Sequence, residues 1–212
     1  MENNIFFTPY IGKDYANGGL FGKRVMVLGE SHYCGEGCCD CGNCRLYEKC
    51  TMFTQNVIKK YLNKDKSKER QYWTRTFVKF ERSLVGEITD QKRRQKIWDE
   101  VMFYNYLQVA MSGPRKAGTS AHYKQAADAF FDVIDKHQPE CIIVWGKRLW
   151  NNMPCERWQD GDDIVVDGKH IATGYYLLSN GNRVKVVAVY HPSGGYSWKY
   201  WHRVIQGLLA SI

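Results

Sequence analysis

The chain has 212 residues, of which 44% are hydrophobic, so it can bury a complete core, and its size fits a single α/β domain over residues 1–212. The formal net charge of +8 favours a polyanionic partner, although lysines kept for solubility explain the same excess. No apolar run approaches the roughly 18 residues of a membrane helix, and Met1–Asn4 is unlike a signal peptide. We therefore expect a cytoplasmic monomer with no membrane contact and with reduced cysteines.

The first strand is predicted to begin near Arg24, and its apolar run, Val25-Met26-Val27-Leu28, stops at Gly29. Such a run, bounded by turn residues, is typical of a strand that is buried on both faces. Four residues with reactive or hydrogen-bonding side chains follow directly: Glu30, Ser31, His32 and Tyr33. Because ligands of open parallel sheets bind beyond the carboxyl ends of the strands, these four residues are predicted to line a cleft.

A cysteine-rich loop at residues 34–50 holds six of the eight cysteines. Cys38, Cys41 and Cys44 are each separated by two residues, a spacing that lets their thiolates converge on one metal ion, and Cys50 is predicted as the fourth ligand. The alternative fourth ligands are Cys34 and Cys39. Zinc is the predicted metal, while an iron–sulfur cluster and a loop without metal remain open alternatives. A closed set of four thiolates leaves no position for substrate, so such a metal would be structural.

Helices are predicted where apolar residues recur at spacings of three and four. They cover Phe53 to Leu62, Trp73 to Leu84, a segment capped by Thr119 or Ser120 that stops before Pro139, and a last segment from Ser197 onward. Between them, Gln91 to Trp98 is basic, which is usual for a solvated surface and also suits contact with phosphate.

Three further strands are predicted to begin near Val101, Cys141 and Val184. The second strand ends at Asn105, and the last runs into His191. Asp167-Gly168 and Asn180-Gly181 are hairpin signals, so a small antiparallel excursion is expected before the last strand. Taken singly, an Asn or His at a strand end is more often a satisfied structural group than a functional one.

Three strand-end motifs occur together in the order G-E-S-H-Y (29–33), F-Y-N-Y-L (103–107) and Y-H-P-S (190–193). This combination resembles the uracil-DNA glycosylase superfamily, and the resemblance spans Lys23 to the C-terminus. It implies a three-layer α/β/α sandwich with a central four-stranded parallel sheet, in which Gly29, Asn105 and His191 lie at the same end of the strands. The iron–sulfur branches of that superfamily carry cysteines before the first motif, where this chain has none, so their cluster is not carried over.

The resemblance implies a DNA repair hydrolase that flips a deaminated base out of single- or double-stranded DNA and cuts its N-glycosidic bond. Asn105 would read the base edge, and His191, followed by Ser193 in the H-P-S loop, would donate a hydrogen bond to the carbonyl oxygen where charge develops. Tyr33 would block the methyl group of thymine. Phe53 would stack on the base.

The first motif departs from the family pattern at two positions. Ser31 stands where active members carry an acid, and His32 stands where they carry proline. Serine is no base at neutral pH without an activating partner, so the water is assigned to Glu30 or to a site held by Ser31 and His32. Two alternatives remain: a catalytically weak or inactive nucleic-acid or nucleotide-binding protein, and an interaction module built on the metal-binding cysteine loop.

Overall fold

The computed structural model describes residues 4–34, 48–64 and 71–212. Within these ranges seven strands are formed: β1 Tyr10–Ile11, β2 Val25–Gly29, β3 Met102–Asn105, β4 Cys141–Trp145, β5 Trp158–Val166, β6 Lys169–Leu177 and β7 Arg183–Val189. The same ranges contain six α-helices: α1 Phe53–Leu62, α2 Thr74–Val85, α3 Gln91–Glu100, α4 Ser120–His137, α5 Lys147–Trp150 and α6 Trp198–Ala210. Short 3-10 helices lie at Tyr15–Asn17, Leu20–Gly22 and Glu48–Met52.

All seven strands belong to one mixed sheet with the order β1-β3-β2-β4-β7-β6-β5. Strands β3, β2, β4 and β7 run parallel, whereas β1, β6 and β5 join the sheet through antiparallel pairings. The chain is therefore of the α/β class, but the predicted central four-stranded parallel sheet is wrong. Instead of leaving the sheet, the antiparallel hairpin pairs along the outer edge of β7 and so satisfies backbone groups that would otherwise be left open.

Two tight turns carry the chain through this antiparallel part. Asp167 and Gly168 alone connect β5 to β6, and both have positive φ values, 52° and 70°, as a type I′ hairpin turn requires. Gly181, with φ of 86°, lies in the connection from β6 to β7. The hairpin signals in the sequence thus correctly marked both turns, although the sheet they extend was not foreseen.

The core lies on both faces of the sheet. Successive residues of β2 alternate between two clusters: Val25 and Val27 pack with α1, α2, α3 and α6, while Met26 and Leu28 pack with α4. Every residue of β2 is buried, which explains its continuous apolar sequence. The strand is consequently fixed from both sides, and its carboxyl end has a defined position.

A buried polar network joins α1, α2 and α3 beneath one face of the sheet. Glu81 is fully buried; Tyr61 Oη donates to its Oε2 at 2.7 Å, and Trp98 Nε1 donates to the same oxygen at 3.3 Å. The Thr89 hydroxyl donates to Oε1, and the Arg94 guanidinium lies 3.4 Å from that oxygen. Burial of a carboxylate is tolerated here because its charge is balanced and its oxygens accept hydrogen bonds.

Side-chain caps fix where three of the helices begin. Asp90 accepts a hydrogen bond from the backbone of Arg93 at the start of α3, Thr119 forms a capping box with His122 at α4, and Ser197 caps α6. No helix in the described parts of the chain is both long and apolar enough to cross a membrane.

The last strand of the sheet, β5, carries an interruption in its pairing. Gly161 pairs with Thr173, but the next partners are Ile164 and Ile171, so β5 contains one residue more than β6 over this interval. Three aspartates flank this bulge, and their side chains are exposed: Asp160, Asp162 and Asp163.

Candidate functional site

The residues singled out at strand ends lie at the carboxyl end of the parallel strands. Gly29 pairs with Asn105 across β2 and β3, and Trp145 pairs with Val189 across β4 and β7. Because β4 separates β2 from β7, the residues following those two strands are displaced by two inter-strand spacings, roughly 10 Å. This is the end at which ligands of open α/β sheets are bound.

Backbone hydrogen bonds hold the segment after β2 against the segment after β3. Leu107 N donates to the Glu30 carbonyl oxygen at 2.9 Å, and Met111 N donates to that of His32 at 2.8 Å. Tyr33 forms a parallel bridge with Met111. The positions of Glu30 and His32 therefore depend on the β3 side of the sheet as well as on β2.

His32 is buried beneath Asn105 rather than open to solvent. Its ring is 3% exposed and lies 4.4 Å from Phe53 and 5.0 Å from Phe7, measured between ring centroids. Nε2 is 2.9 Å from Thr54 Oγ1, and Asn105 Nδ2 is 3.0 Å from Nδ1 and 3.2 Å from Nε2. Burial lowers the pKa of His32 to about 3, so the ring is neutral at physiological pH. The geometry makes His32 a support for Asn105.

Asn105 packs directly against Gly29. A Cβ atom on Gly29 would lie 2.2 Å from Asn105 Oδ1, closer than any real contact, so a side chain there would displace the amide. Asn105 itself is 6% exposed. The glycine that ends β2 is thus needed for the close approach of the Asn105 side chain to the neighbouring strand.

Glu30 is held by side chains from α4 and α5. Arg148 donates to both carboxylate oxygens, from Nε at 2.7 Å and from Nη2 at 2.5 Å, and the Tyr123 hydroxyl donates to Oε1. The hydrogen bond to Glu30 raises the pKa of Arg148, and burial together with Glu30 raises the pKa of Tyr123 to about 12. Arg148 Nη1 also donates to the Arg115 carbonyl oxygen at 3.3 Å. Glu30 is therefore engaged as an ion-pair partner.

His191 follows β7 and is oriented by Ser193. The Ser193 backbone N–H lies 3.2 Å from His191 Nδ1, and since an N–H group can only donate, Nδ1 accepts. Ser193 Oγ is 2.8 Å from the same nitrogen. The neutral ring therefore carries its proton on Nε2. Although His191 is an exposed residue, partial burial of its ring against neighbours such as Trp145 lowers the pKa of His191; Glu30 opposes this effect and Arg148 adds to it.

The other predicted site residues differ in exposure. Ser31 is half-buried, and the Tyr33 side chain is 45% exposed. Phe53 is half-buried at the start of α1, where its ring packs on His32. Of the predicted set, the structure places His32, Asn105 and Phe53 in one contact group, and His191 with Ser193 in another.

The predicted metal ligands Cys38, Cys41 and Cys44 lie outside the described residues. Cys50 is half-buried and packs near the buried Cys34. Within ranges 4–34, 48–64 and 71–212, no three His, Cys, Asp or Glu side chains are grouped so as to hold a metal ion. The four-cysteine site therefore stays a prediction.

Three contacts in this region were missed by sequence reasoning. Arg148 and Tyr123 hold Glu30, and Thr54 holds His32. Arg148 lies two residues beyond the glycine that ends the β4 run, so the strand-end pattern that pointed to Glu30 also applied there. Neither Thr54 nor Tyr123 carries such a signal, because each lies within an ordinary amphipathic helix.

Comparison with models of known protein families gives no match to this chain, and neither does a search of curated proteins.

Proposed function

We propose that the chain is a divergent member of the uracil-DNA glycosylase superfamily that hydrolyses the N-glycosidic bond of uracil or another deaminated base in DNA. The observation that carries the proposal is the state of His191. Its Nδ1 accepts a hydrogen bond from the Ser193 backbone, so this exposed residue, which follows the carboxyl end of β7, carries its N–H donor on Nε2.

Base excision needs such a donor because negative charge develops on the leaving base while the sugar becomes cationic. A hydrogen bond from His191 Nε2 to a carbonyl oxygen of the base strengthens as that charge grows, so it lowers the barrier more than it tightens binding. The C1′–N bond breaks and its electron pair leaves with the base, water forms the new bond to C1′, and the proton that this water loses is taken up by the departing base. Asn105, which offers both a donor and an acceptor, is assigned to the base edge.

Water positioning is assigned to Glu30 and Ser31. Both ring nitrogens of His32 are within hydrogen-bond distance of Thr54 or Asn105, so His32 has no nitrogen left to orient water. Glu30, which forms an ion pair with Arg148, would place a carboxylate near the developing cationic sugar. Neither residue needs to act as a strong base, because an oxocarbenium-like centre is attacked readily by water.

Basic side chains near this end of the sheet supply contacts for the DNA backbone. Arg115, Lys116, Lys147 and Arg148 are all exposed, and the Lys147 ammonium lies 5.1 Å from the centroid of the exposed Tyr190 ring. Together with the net charge of +8, they favour association with phosphates through counterion release. An aromatic ring beside cations is also the arrangement that stacks on unpaired bases.

A second candidate is a nucleic-acid or nucleotide-binding protein with little or no catalytic activity. The specific observation in its favour is that Glu30 accepts three hydrogen bonds from Arg148 and Tyr123, so water has to compete for this carboxylate. The two candidates share the binding surface and differ only in cleavage.

The proposal also includes a cytoplasmic location, which suits reduced cysteines, and a structural zinc ion held by Cys38, Cys41, Cys44 and Cys50. Such a metal would order the loop that follows the first motif and would take no part in the chemistry.

The test is incubation with single- and double-stranded oligonucleotides that carry one uracil or one hypoxanthine, followed by alkaline cleavage of abasic sites. His191→Ala is expected to slow excision by about 100-fold or more while leaving affinity for an abasic product nearly unchanged. His170→Ala, at an exposed site on β6, is the matched control and should retain full activity. Binding without cleavage of any base by the wild type would favour the second candidate, and equal losses of rate and binding in His191→Ala would make His191 structural.

A further inference from the structure

A chain of hydrogen bonds runs through three buried polar side chains beneath the candidate site. Thr54 is 0% exposed, His32 is 3% exposed and Asn105 is 6% exposed. Thr54 Oγ1 lies 2.9 Å from His32 Nε2, and Asn105 Nδ2 lies 3.0 Å from His32 Nδ1 and 3.2 Å from Nε2. Phe7 and Phe53 cover the imidazole, so water does not replace these partners.

The order of donors and acceptors in this chain is restricted because a neutral imidazole carries one proton. If that proton is on Nε2, it is donated to Thr54 Oγ1, and the bare Nδ1 accepts from the Asn105 amide N–H. If it is on Nδ1, this N–H group meets the Asn105 NH₂ group at 3.0 Å, and Asn105 keeps only its longer contact of 3.2 Å to Nε2, which Thr54 also approaches, unless the amide turns over and presents its oxygen to the ring. The orientation of Asn105 is thus tied to the tautomer of His32.

Gly29 provides an independent reason for the first arrangement. Asn105 Oδ1 occupies the space beside the Gly29 Cα, only 2.2 Å from where a Cβ would stand. The oxygen end of the Asn105 amide fits beside Gly29 because the Cα hydrogens of glycine are weak donors. The NH₂ end would instead point its own hydrogens at those Cα hydrogens. Two contacts on opposite sides of Asn105 therefore favour the same amide orientation.

We propose that His32, held by Thr54, is a positioning residue that fixes the Asn105 amide and thereby determines which base edge Asn105 accepts. This inference rests on the proposed function for its ligand, a DNA base. Because His32 contacts Asn105, it would act on base specificity through the orientation of the Asn105 amide.

The chemistry of the bases explains why a fixed amide discriminates. Uracil and hypoxanthine present a carbonyl oxygen beside a ring N–H, whereas cytosine and adenine present an amino group beside a bare ring nitrogen. An amide that turns freely pairs with either edge. A fixed amide pairs with one edge and meets the other with donor against donor and acceptor against acceptor, which leaves polar groups unpaired.

Thr54→Val and Thr54→Ser form a matched pair of variants. Valine has nearly the shape of threonine but cannot accept the Nε2 proton, so the Nδ1–H tautomer becomes populated and Asn105 loses its shorter hydrogen bond, the one to Nδ1, and is held less firmly in one orientation. Serine keeps the hydroxyl and the wild-type hydrogen bonds. Long-range ¹H–¹⁵N spectra of the histidine rings report the tautomer directly, and the His32 signals are assigned by their absence in His32→Gln.

The wild type and Thr54→Ser are expected to show the Nε2–H tautomer of His32, and Thr54→Val a shift toward Nδ1–H with displaced Asn105 side-chain amide signals. A wild-type Nδ1–H tautomer, or Asn105 signals unaffected by Thr54→Val, would overturn the positioning role. These spectra are recorded without DNA, so they test whether His32 positions Asn105 even if the proposed function is wrong.

Specificity is measured as the ratio of affinities for oligonucleotides carrying one 2′-fluorinated uracil or cytosine nucleotide, since the fluorine suppresses cleavage. Thr54→Val is expected to reduce the preference for uracil by about tenfold or more, and Thr54→Ser to preserve it. An unchanged preference in Thr54→Val would overturn the specificity role. A wild type with no preference between these oligonucleotides would instead refute the proposed function, and the spectra would still decide the position of Asn105.

Discussion

Lowering the pH from 7.5 to 5 is expected to destabilise the folded protein through His32. Burial lowers the pKa of this ring from its ordinary value of 6.5 to about 3 in the folded state. The unfolded chain takes up the proton near pH 6.5, so between these two values the unfolded state binds one proton more than the folded state. The free energy of unfolding therefore falls as the pH falls through this window.

The size of the effect follows from the difference between the two pKa values. One pH unit corresponds to about 1.4 kcal/mol of unfolding free energy, so at pH 5 the loss from His32 is about 2 kcal/mol. The complete loss, on the order of 5 kcal/mol, is reached only below pH 3. His137 and His191, whose pKa values are also lowered by burial, change stability in the same direction, so the contribution of His32 has to be isolated with a variant.

Urea denaturation at pH 7.5 and pH 5 provides the measurement, with wild type and His32→Gln compared. Between these pH values the variant should lose about 2 kcal/mol less stability than the wild type, because its side chain takes up no proton on unfolding. His170→Gln makes the same replacement at an imidazole that is 68% exposed on β6 and serves as the control for the exchange of His for Gln. Equal pH dependence in wild type and His32→Gln would refute the assignment of His32 as a neutral buried ring.

Two further predictions concern other parts of the chain. Glu81→Gln should lower the free energy of unfolding by about 3 kcal/mol, because it leaves the charge of the buried Arg94 uncompensated. Glu87→Gln breaks an exposed ion pair and should lower it by less than about 1 kcal/mol. Equal losses in the two variants, measured in the same urea assay, would contradict the assigned role of the buried network. Protein purified without chelator should contain close to one zinc ion per chain by elemental analysis. Joint replacement of Cys41 and Cys44 by serine should remove the metal and lower the melting temperature. Wild-type protein that contains no metal would rule this site out.

The sequence predicted the local elements of the fold better than their arrangement. Val25–Gly29 and Cys141–Trp145 are strands because their β-branched and aliphatic runs are buried on both faces, a pattern that is visible residue by residue. The antiparallel pairing of β6 along β7 was missed, since the choice of a strand's partner depends on residues distant in sequence. Asp167 and Gly168 define a hairpin turn but carry no information about which sheet the hairpin joins.

The same limit applies to the candidate site. Glu30, Asn105 and His191 were recognised because each follows an apolar run, and parallel strands bring such positions to one end of the sheet. Sequence reasoning placed His32 in the wall of a cleft as a catalytic group, whereas the structure buries it against Phe7 and Phe53, which come from distant segments. Burial of a polar residue is decided by tertiary packing, so no local pattern reports it.

The bulge and the aspartates of β5 have a consequence for how copies of this chain meet in solution. A regular outer strand offers a row of free backbone groups on which the strand of another molecule can add, as happens in aggregation. Along β5, the extra residue between Gly161 and Ile164 breaks the repeat of those groups, and Asp160, Asp162 and Asp163 place negative charge along the edge that a second copy would have to approach. Repulsion and mismatched spacing therefore disfavour growth of the sheet from one molecule into the next.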